Sequence, residues 1–172
     1  MNNINQLLFF RFILLLSSQI MIFNNFLIFG NPVNIYLIYI IVFPLNYNKS
    51  VSYILIFLFG FVLDFFSNSF GIITFSLLIS ILIKPFLLKF SFGNFDVNKV
   101  RKTSEYISGT SLFQQTSYLL MIFFTHQLVL NSVEIFSFKN FNIILNKTLT
   151  SSIISIIFSY FILTIFFRKN AR

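Results

Sequence analysis

The sequence predicts an all-α integral membrane protein with six transmembrane helices and both termini in the cytoplasm. Hydrophobic residues make up 57% of the 172 residues and charged residues only 9%, whereas soluble domains carry about 25% charged residues. Charge-free stretches long enough to cross a bilayer recur along the chain, and the basic residues lie in the gaps between them. Six spans of about 20 residues each leave no room for a sizeable soluble domain. We therefore expect a single transmembrane domain over residues 1–172.

The first two predicted helices cover residues 7–29 and 33–45. Arg11 followed by an apolar run is similar to a signal peptide, but no small-residue cleavage site follows, so we expect a first helix. Gly30 and Pro32 end this helix, because both residue types interrupt helices. Helix 2 is only about 13 residues long and carries Pro44 near its end. We expect it to be tilted, partly re-entrant or covered by neighbouring helices.

Helices 3 to 6 are predicted at residues 50–66, 70–88, 111–131 and 143–167, with a cytoplasmic loop at 89–110. Helix 6 carries Ser151, Ser155 and Ser159 at spacings of four, which places them on one face. The chain has 28 Phe but only 5 Gly, so serine must supply the small residues at which membrane helices approach closely. We expect this serine face to be buried in the bundle, and a transport pathway lined with hydroxyls is the alternative.

The orientation follows from the basic residues, which cytoplasmic loops of membrane proteins collect. With six spans, ten lysines and arginines fall on the side of the termini and two, Lys139 and Lys147, on the other. An odd number of spans would spoil this asymmetry. The formal net charge of +8 is then explained by basic loops next to anionic lipid rather than by nucleic acid. The ten are Arg11, Lys49, Lys84, Lys89, Lys99, Arg101, Lys102, Arg168, Lys169 and Arg172.

The densest polar signal is the turn between helices 3 and 4. Asp64 lies about two residues inside the end of an otherwise uncharged helix, where an unpaired carboxylate is costly. Gly60, four residues earlier on the same face, leaves room for another helix or side chain to approach the carboxylate. We expect Ser67, Asn68 and Ser69 to offer caps for the next helix and Gly71 to allow a positive φ or close packing. Free amides and hydroxyls at the start of that helix can also reach the Asp64 carboxylate. Turn stabilisation, contact with a partner, and proton or ion chemistry are the alternative roles of Asp64.

His126 and Glu134 share one face of helix 5 but lie two turns, about 12 Å, apart. At membrane depth we expect His126 to be neutral and hydrogen-bonded to another helix. Glu134 lies near the outer interface, where it could face Lys139, Lys147 or a partner. The chain has no cysteine and no phosphate-loop, nucleophile-elbow or zinc-site motif, so we expect no enzyme, no metal and no cofactor.

Together these residues resemble the MreD family of bacterial rod shape-determining membrane proteins. The block from Gly60 through Asp64 to Gly71 is similar to that family's G-x-x-x-D-x-x-S-x-x-x-G element. Lys84-Pro85-Phe86 is similar to an R-P-F element, and His126 with Glu134 to an element of helix 5. Chain length and the six-span layout fit over essentially the whole chain. Lysine at position 84 and a single histidine depart from the family pattern.

The resemblance implies a non-enzymatic component of the cell-elongation complex in the bacterial inner membrane, which supports peptidoglycan synthesis and cell shape. Its implied partners are MreC, the MreB filament, RodA and the penicillin-binding transpeptidase of that complex. The implied fold is also similar to the substrate-binding subunits of energy-coupling-factor vitamin transporters, which gives the alternative function. A vitamin-binding subunit should offer a polar or aromatic pocket open to the outside. Short loops at 30–33 and 67–70 leave little to close over a ligand, which favours the scaffold.

The basic asymmetry yields a topological prediction. Cysteine labelling in intact cells should find positions 68 and 139 accessible from outside and position 99 accessible only after the membrane is permeabilised. Labelling of position 99 from the outside would contradict the orientation.

Overall fold

The computed structural model describes residues 2–93, 109–136 and 138–168, without the side chains of residues 2–4, 138 and 164–168. Within these residues six α-helices follow one another: α1 (Asn2–Met21), α2 (Leu37–Val42), α3 (Lys49–Ser67), α4 (Ile72–Phe92), α5 (Leu112–Ile135) and α6 (Phe141–Arg168). Short 3-10 helices at Phe23–Asn25 and Phe138–Asn140 follow α1 and precede α6. Strands β1 (Leu27–Ile28) and β2 (Asn31–Pro32) form a small antiparallel hairpin. Most of the predicted cytoplasmic loop, residues 94–108, lies outside the described residues.

Five of these helices are long and apolar enough to cross a membrane, as judged by length and composition. They are α1, α3, α4, α5 and α6, and aromatic side chains such as Phe57, Phe61 and Phe65 cover the exposed face of α3. An exterior of this kind suits lipid, since a soluble protein would expose polar groups there. The prediction of an all-α fold is thus confirmed for the described residues, apart from the small hairpin, and the five apolar helices agree with a membrane-embedded protein.

The first two predicted helices differ most from the structure. Helix 1 was expected to reach residue 29, but α1 ends at Met21, and the following hairpin turns at Phe29 and Gly30, both of which have positive φ. Helix 2 was expected over 33–45, but α2 has six residues and is too short to span a membrane as a helix. The expectation that neighbours cover this segment is confirmed, because every residue from 33 to 43 is buried.

Helices α1 and α3 run in the same direction. The chain between them must therefore return across the bundle, from the end of α1 to the start of α3. The Tyr47 hydroxyl donates to Asn5 Oδ1 at 2.9 Å, so both helices begin at one end, here called the proximal end. The Asn24 side chain donates to Ser67 Oγ at 3.0 Å, so both end at the opposite, distal end. The buried segment, residues 33–43, therefore leads from the distal end through the interior towards the proximal end.

Helices α3 and α4 form a close hairpin. A Cβ added at Gly60 would lie 2.7 Å from Thr74 Cα, so only glycine allows the two backbones to approach this far. Helix α4 continues to Phe92, one turn beyond the predicted end at residue 88, and passes through Pro85 without ending. Proline removes one backbone donor but does not terminate this helix. Lys84 thus lies within the helix, as the predicted range of 70–88 already implied.

The predicted serine face of α6 is confirmed as buried. Ser151, Ser155 and Ser159 are each at most 1% exposed, whereas Ile153 and Ile157 on the opposite face are more than half exposed. Ser151 Oγ donates to Asn31 Oδ1 at 3.2 Å, and Ser155 Oγ accepts from the Asn34 amide at 3.0 Å. The small serine side chains therefore leave room for the chain around Asn31 and Asn34, where the buried segment begins.

Substituting Ser155 by leucine should lower stability, because the larger side chain separates packed backbones and leaves the Asn34 amide unpaired. We expect a loss of roughly 2 to 4 kcal/mol, measured as a lower unfolding temperature in detergent. Ile157→Leu, on the exposed face of the same helix, is the matched control and should unfold like the parent protein. Equal unfolding temperatures for the two variants would contradict the assigned packing.

Candidate functional site

The distal half of the buried segment is held by side chains instead of by its own helix. Gln19 Oε1 accepts from the amides of Ile35 and Tyr36 at 3.0 and 3.3 Å, and Gln19 Nε2 donates to the Val33 carbonyl at 3.1 Å. Together with Ser155, this glutamine pairs backbone groups of residues that are buried in the bundle. Irregular backbone at membrane depth is tolerated only where it is satisfied inside the protein.

The proximal half is held by two basic residues. Lys84 is completely buried, and its ammonium group donates to the carbonyls of Ile40, Ile41 and Phe43 at 2.7, 3.3 and 2.6 Å. An ammonium has three donors, so all three have acceptors at the C-terminal end of α2, where the helix dipole favours positive charge. Arg11, 7% exposed, adds a longer contact of 3.4 Å to the Val42 carbonyl.

These contacts correct the orientation argument. Lys84 and Arg11 were counted among ten basic residues at the cytoplasmic side, but both are buried in the bundle, which leaves eight against two in the sequence count. Lys49 and Lys89 are exposed. The other six, residues 99, 101, 102, 168, 169 and 172, lie outside the described residues or have no described side chain.

His126 joins three elements through a chain of hydrogen bonds. Its Nε2 lies 2.9 Å from the Tyr36 hydroxyl and its Nδ1 lies 3.1 Å from Ser80 Oγ. Ser80 donates its own proton to the Ser76 carbonyl at 2.7 Å, so Nδ1 must carry the proton that Ser80 accepts. Nε2 then accepts from Tyr36. The expectation of a neutral histidine bonded to another helix agrees with this arrangement, in which both ring nitrogens are used.

Asp64 caps α4 from the preceding helix. Oδ1 accepts from the Ile73 amide at 3.0 Å and from the Ser69 hydroxyl, and Oδ2 accepts from the Thr74 amide at 2.8 Å and from the Thr74 hydroxyl. These two amides are free donors of the first turn of α4, so the carboxylate binds where the helix dipole favours negative charge. Of the alternatives for this residue, turn stabilisation accounts for all four contacts.

The neighbouring turn residues play other parts than the sequence predicted. Gly71 precedes α4 with φ of 89°, which agrees with the expected positive φ. The helix has no side-chain cap at this glycine, and Ser67 and Asn68 do not cap it either. Ser67 Oγ accepts from Asn24, and Asn68, with φ of 53°, ends α3 in the left-handed conformation. Asp64 caps the helix instead, because its carboxylate accepts from the amides of Ile73 and Thr74.

Glu134 forms an ion pair with Lys147, with 2.9 Å between Oε2 and Nζ. Both side chains are partly exposed at the distal end. This agrees with one of the expected partners of Glu134. The pair joins α5 to α6 close to the buried contact of 3.1 Å between Asn131 and Thr148.

A cavity of about 590 Å³ opens at the distal end, and we call it the distal cavity. Its walls come from the turn after α1, the start of the buried segment, the α3–α4 turn and the end of α5. Its volume lies within the range of about 300 to 1,000 Å³ that is typical of small-molecule sites. Pro32 and residues 67–70 line it, so the short loops that were expected to disfavour a ligand help to form a cavity.

No protein-family model, curated protein or solved structure matches this chain.

The structure adds four residues that the sequence analysis did not select: Gln19, Arg11, Asn34 and Tyr36. Gln19, Asn34 and Tyr36 lie within the charge-free stretch from residue 12 to 48, where a polar side chain needs an internal partner. That signal could have marked Gln19 and Asn34 as buried polar residues. Which backbone groups Gln19 would bind could not be predicted, since they belong to a segment that was expected to be an ordinary helix.

Replacing Lys84 by methionine should destabilise the protein, because three buried carbonyls at the end of α2 lose their contact with the ammonium group. We expect roughly 1 to 3 kcal/mol, measured by unfolding in a detergent titration. Lys89→Met on the same helix removes an exposed lysine and should change stability by less than about 0.5 kcal/mol. If both variants unfold alike, Lys84 does not hold the buried segment.

Replacing Asp64 should destabilise the α3–α4 hairpin even when the replacement is asparagine. Each carboxylate oxygen faces a backbone amide, so the NH2 group that asparagine puts in place of one oxygen would oppose a donor. We expect losses of about 1 kcal/mol for Asp64→Asn and about 1 to 3 kcal/mol for Asp64→Leu. Glu134→Gln is the exposed control. Unchanged stability of Asp64→Asn with complete loss of function would instead favour proton or ion chemistry.

Proposed function

We propose that the protein is a non-enzymatic scaffold of the bacterial cell-elongation complex, as its resemblance to the MreD family implies. In this role it supports peptidoglycan synthesis along the cell wall and the regulation of cell shape. Its partners are MreC, MreB, RodA and the penicillin-binding transpeptidase, which it contacts from within the inner membrane.

One observation carries the proposal: the buried side chains of Lys84, Asp64 and His126 are engaged by backbone groups and hydroxyls of the bundle itself. Lys84 binds three carbonyls, Asp64 binds two amides and two hydroxyls, and both nitrogens of His126 have partners. A proton or ion pathway needs such groups to exchange partners during transport. Side chains bound in this way instead stabilise a fixed bundle, which favours a scaffold.

The parallel arrangement of α1 and α3 supports the proposed topology of six crossings. Five crossings are made by long helices, and the sixth is made by the buried segment, which passes through the bundle in an irregular conformation with α2 at its centre. We place both termini in the cytoplasm, so that the distal end faces the periplasm.

The alternative is a substrate-binding membrane subunit of an energy-coupling-factor type vitamin transporter. The distal cavity is the observation that favours it, since such a subunit needs a polar or aromatic pocket open to the outside. The two functions differ in their partners, because a transporter subunit assembles with ATPases whereas a scaffold assembles with the synthetic enzymes of the cell wall.

Affinity purification from the source cells in mild detergent should separate the two. We expect MreC, RodA and the transpeptidase to co-purify with the tagged chain and to be absent from a purification with another tagged inner-membrane protein of similar size. Recovery of ATP-binding-cassette ATPases without elongation proteins would reject the scaffold and support the transporter subunit.

A further inference from the structure

We propose that three phenylalanines at the distal end, Phe29, Phe70 and Phe136, form a membrane anchor whose rings insert among the head groups and upper acyl chains of the lipid leaflet at that end. We call these residues the tip phenylalanines. The proposal goes beyond the scaffold function and does not depend on it, because it concerns the bilayer and not a protein partner. Four properties of the three turns carry it: backbone conformation, exposure, depth, and the direction of the polar side chains.

The tip phenylalanines share an unusual backbone conformation. Among the described residues, four residues other than glycine have positive φ, and three of them are Phe29, Phe70 and Phe136, with φ of 50°, 50° and 40°. A bulky side chain is unfavourable in this left-handed region, where glycine and asparagine are the usual residues. The turns alone therefore give no reason for phenylalanine at these positions.

Each of these rings lies outside the bundle. Phe29, Phe70 and Phe136 are 94%, 97% and 88% exposed, which leaves their rings with almost no contact inside the protein. They come from three separate turns, which are the hairpin, the turn between α3 and α4, and the end of α5. Three turns of one end that present the same apolar ring indicate a common surrounding that accepts such rings.

The length of α3 places Phe70 at a membrane boundary. Helix α3 has 19 residues and is therefore about 28 Å long, close to the thickness of about 30 Å of the hydrocarbon core. It begins at Lys49, which is exposed at the proximal end and belongs at the interface there. The far end of α3 and the turn that carries Phe70 then reach the opposite boundary.

The other two turns lie near the same level. The partly exposed ion pair of Glu134 and Lys147 marks the interface on α5 and α6, since charged groups are costly at greater depth. Phe136 follows Glu134 by two residues. The hairpin contacts Ser151, which lies one turn beyond Lys147, so Phe29 at the tip of the hairpin is also close to this level.

The polar side chains of these turns face the protein. Asn24 donates to Ser67 Oγ at 3.0 Å, and Asn25 lines the distal cavity. Residues 22–33 and 65–71 include no charged residue. An apolar outer side without charge suits the boundary between head groups and acyl chains, where amphipathic segments bury phenylalanine. The lipid leaflet at this level therefore accounts for the exposed rings.

Tryptophan fluorescence tests the depth of each ring, because the chain has no tryptophan of its own. Phe29→Trp, Phe70→Trp and Phe136→Trp are each introduced into the full chain and reconstituted into phosphatidylcholine nanodiscs. The acyl chains carry bromine either near the head group or near the chain end. We expect bromine near the head group to quench the tryptophan at each tip at least about twofold more strongly than bromine near the chain end, since interfacial segments enter only the upper part of the leaflet.

Phe57→Trp is the matched control for this measurement. Phe57 is 47% exposed on the outer face of α3 and lies near the middle of that helix. Bromine near the chain end should therefore quench this variant more strongly than bromine near the head group, which is the order opposite to that of the tips.

A second measurement separates anchoring from a role in the fold. Phe70→Asn removes the ring and introduces a residue that tolerates the left-handed conformation. In detergent this variant should unfold at the same temperature as the parent protein or at a higher one. Phe59→Asn makes the same change at a completely buried phenylalanine and should unfold at a lower temperature.

Three results would overturn the proposal. The first is quenching of the tips by aqueous iodide as strong as that of free N-acetyltryptophanamide, with little quenching by either bromolipid, which would place the rings in water or under a protein partner. The second is the quenching order of Phe57→Trp at the tips, which would place them in the hydrocarbon core. The third is an unfolding temperature of Phe70→Asn as low as that of Phe59→Asn. None of these results alters which proteins co-purify with the chain, so failure of this proposal is distinguishable from failure of the scaffold function.

Discussion

The backbone of the buried segment lies inside the bundle, so its amides and carbonyls need hydrogen-bond partners from the protein. The surrounding helices supply these partners. Each unpaired backbone group in such a place would cost several kcal/mol. An α-helix meets this requirement internally, but α2 covers only six residues of the segment. The remaining groups need donors and acceptors from α1, α4 and α6, and Gln19, Lys84 and Ser155 supply them.

This constraint explains why charged residues occur inside a bundle that is otherwise apolar. An isolated ammonium at membrane depth is unfavourable, but one that donates to three carbonyls at a helix end replaces the hydration that it loses. Asp64 is the corresponding case with a negative charge, because its carboxylate binds free amides at the start of α4. In both cases a charge on one helix is paired with the dipole of another, which ties the two elements together.

The bundle has two parts that differ in structure, a part in which the buried charged and histidine side chains are fixed by hydrogen bonds and a distal end that is open. In the middle and proximal part, Lys84 and His126 have their hydrogen bonds satisfied within the chain, which suits a rigid structural role. At the distal end the bundle instead opens into the distal cavity, which has both aromatic and polar side chains in its walls. The proposed scaffold function rests on the fixed part of the bundle, and the alternative transporter function rests on the distal cavity.

The amino-acid sequence alone predicts the class of the protein and the positions of four helices, because long apolar runs in a bilayer can satisfy their backbone only as helices. It also determined the buried face of α6 from the spacing of its serines, and it marked Asp64 as a residue that needs partners. The packing of the folded chain shows in addition that helix 2 is a largely irregular buried segment, that Lys84 belongs to the interior, and that Ser67 and Asn68 do not cap α4. These features depend on side chains far apart in the chain meeting particular backbone groups, and neither hydropathy nor helical periodicity encodes which groups will meet.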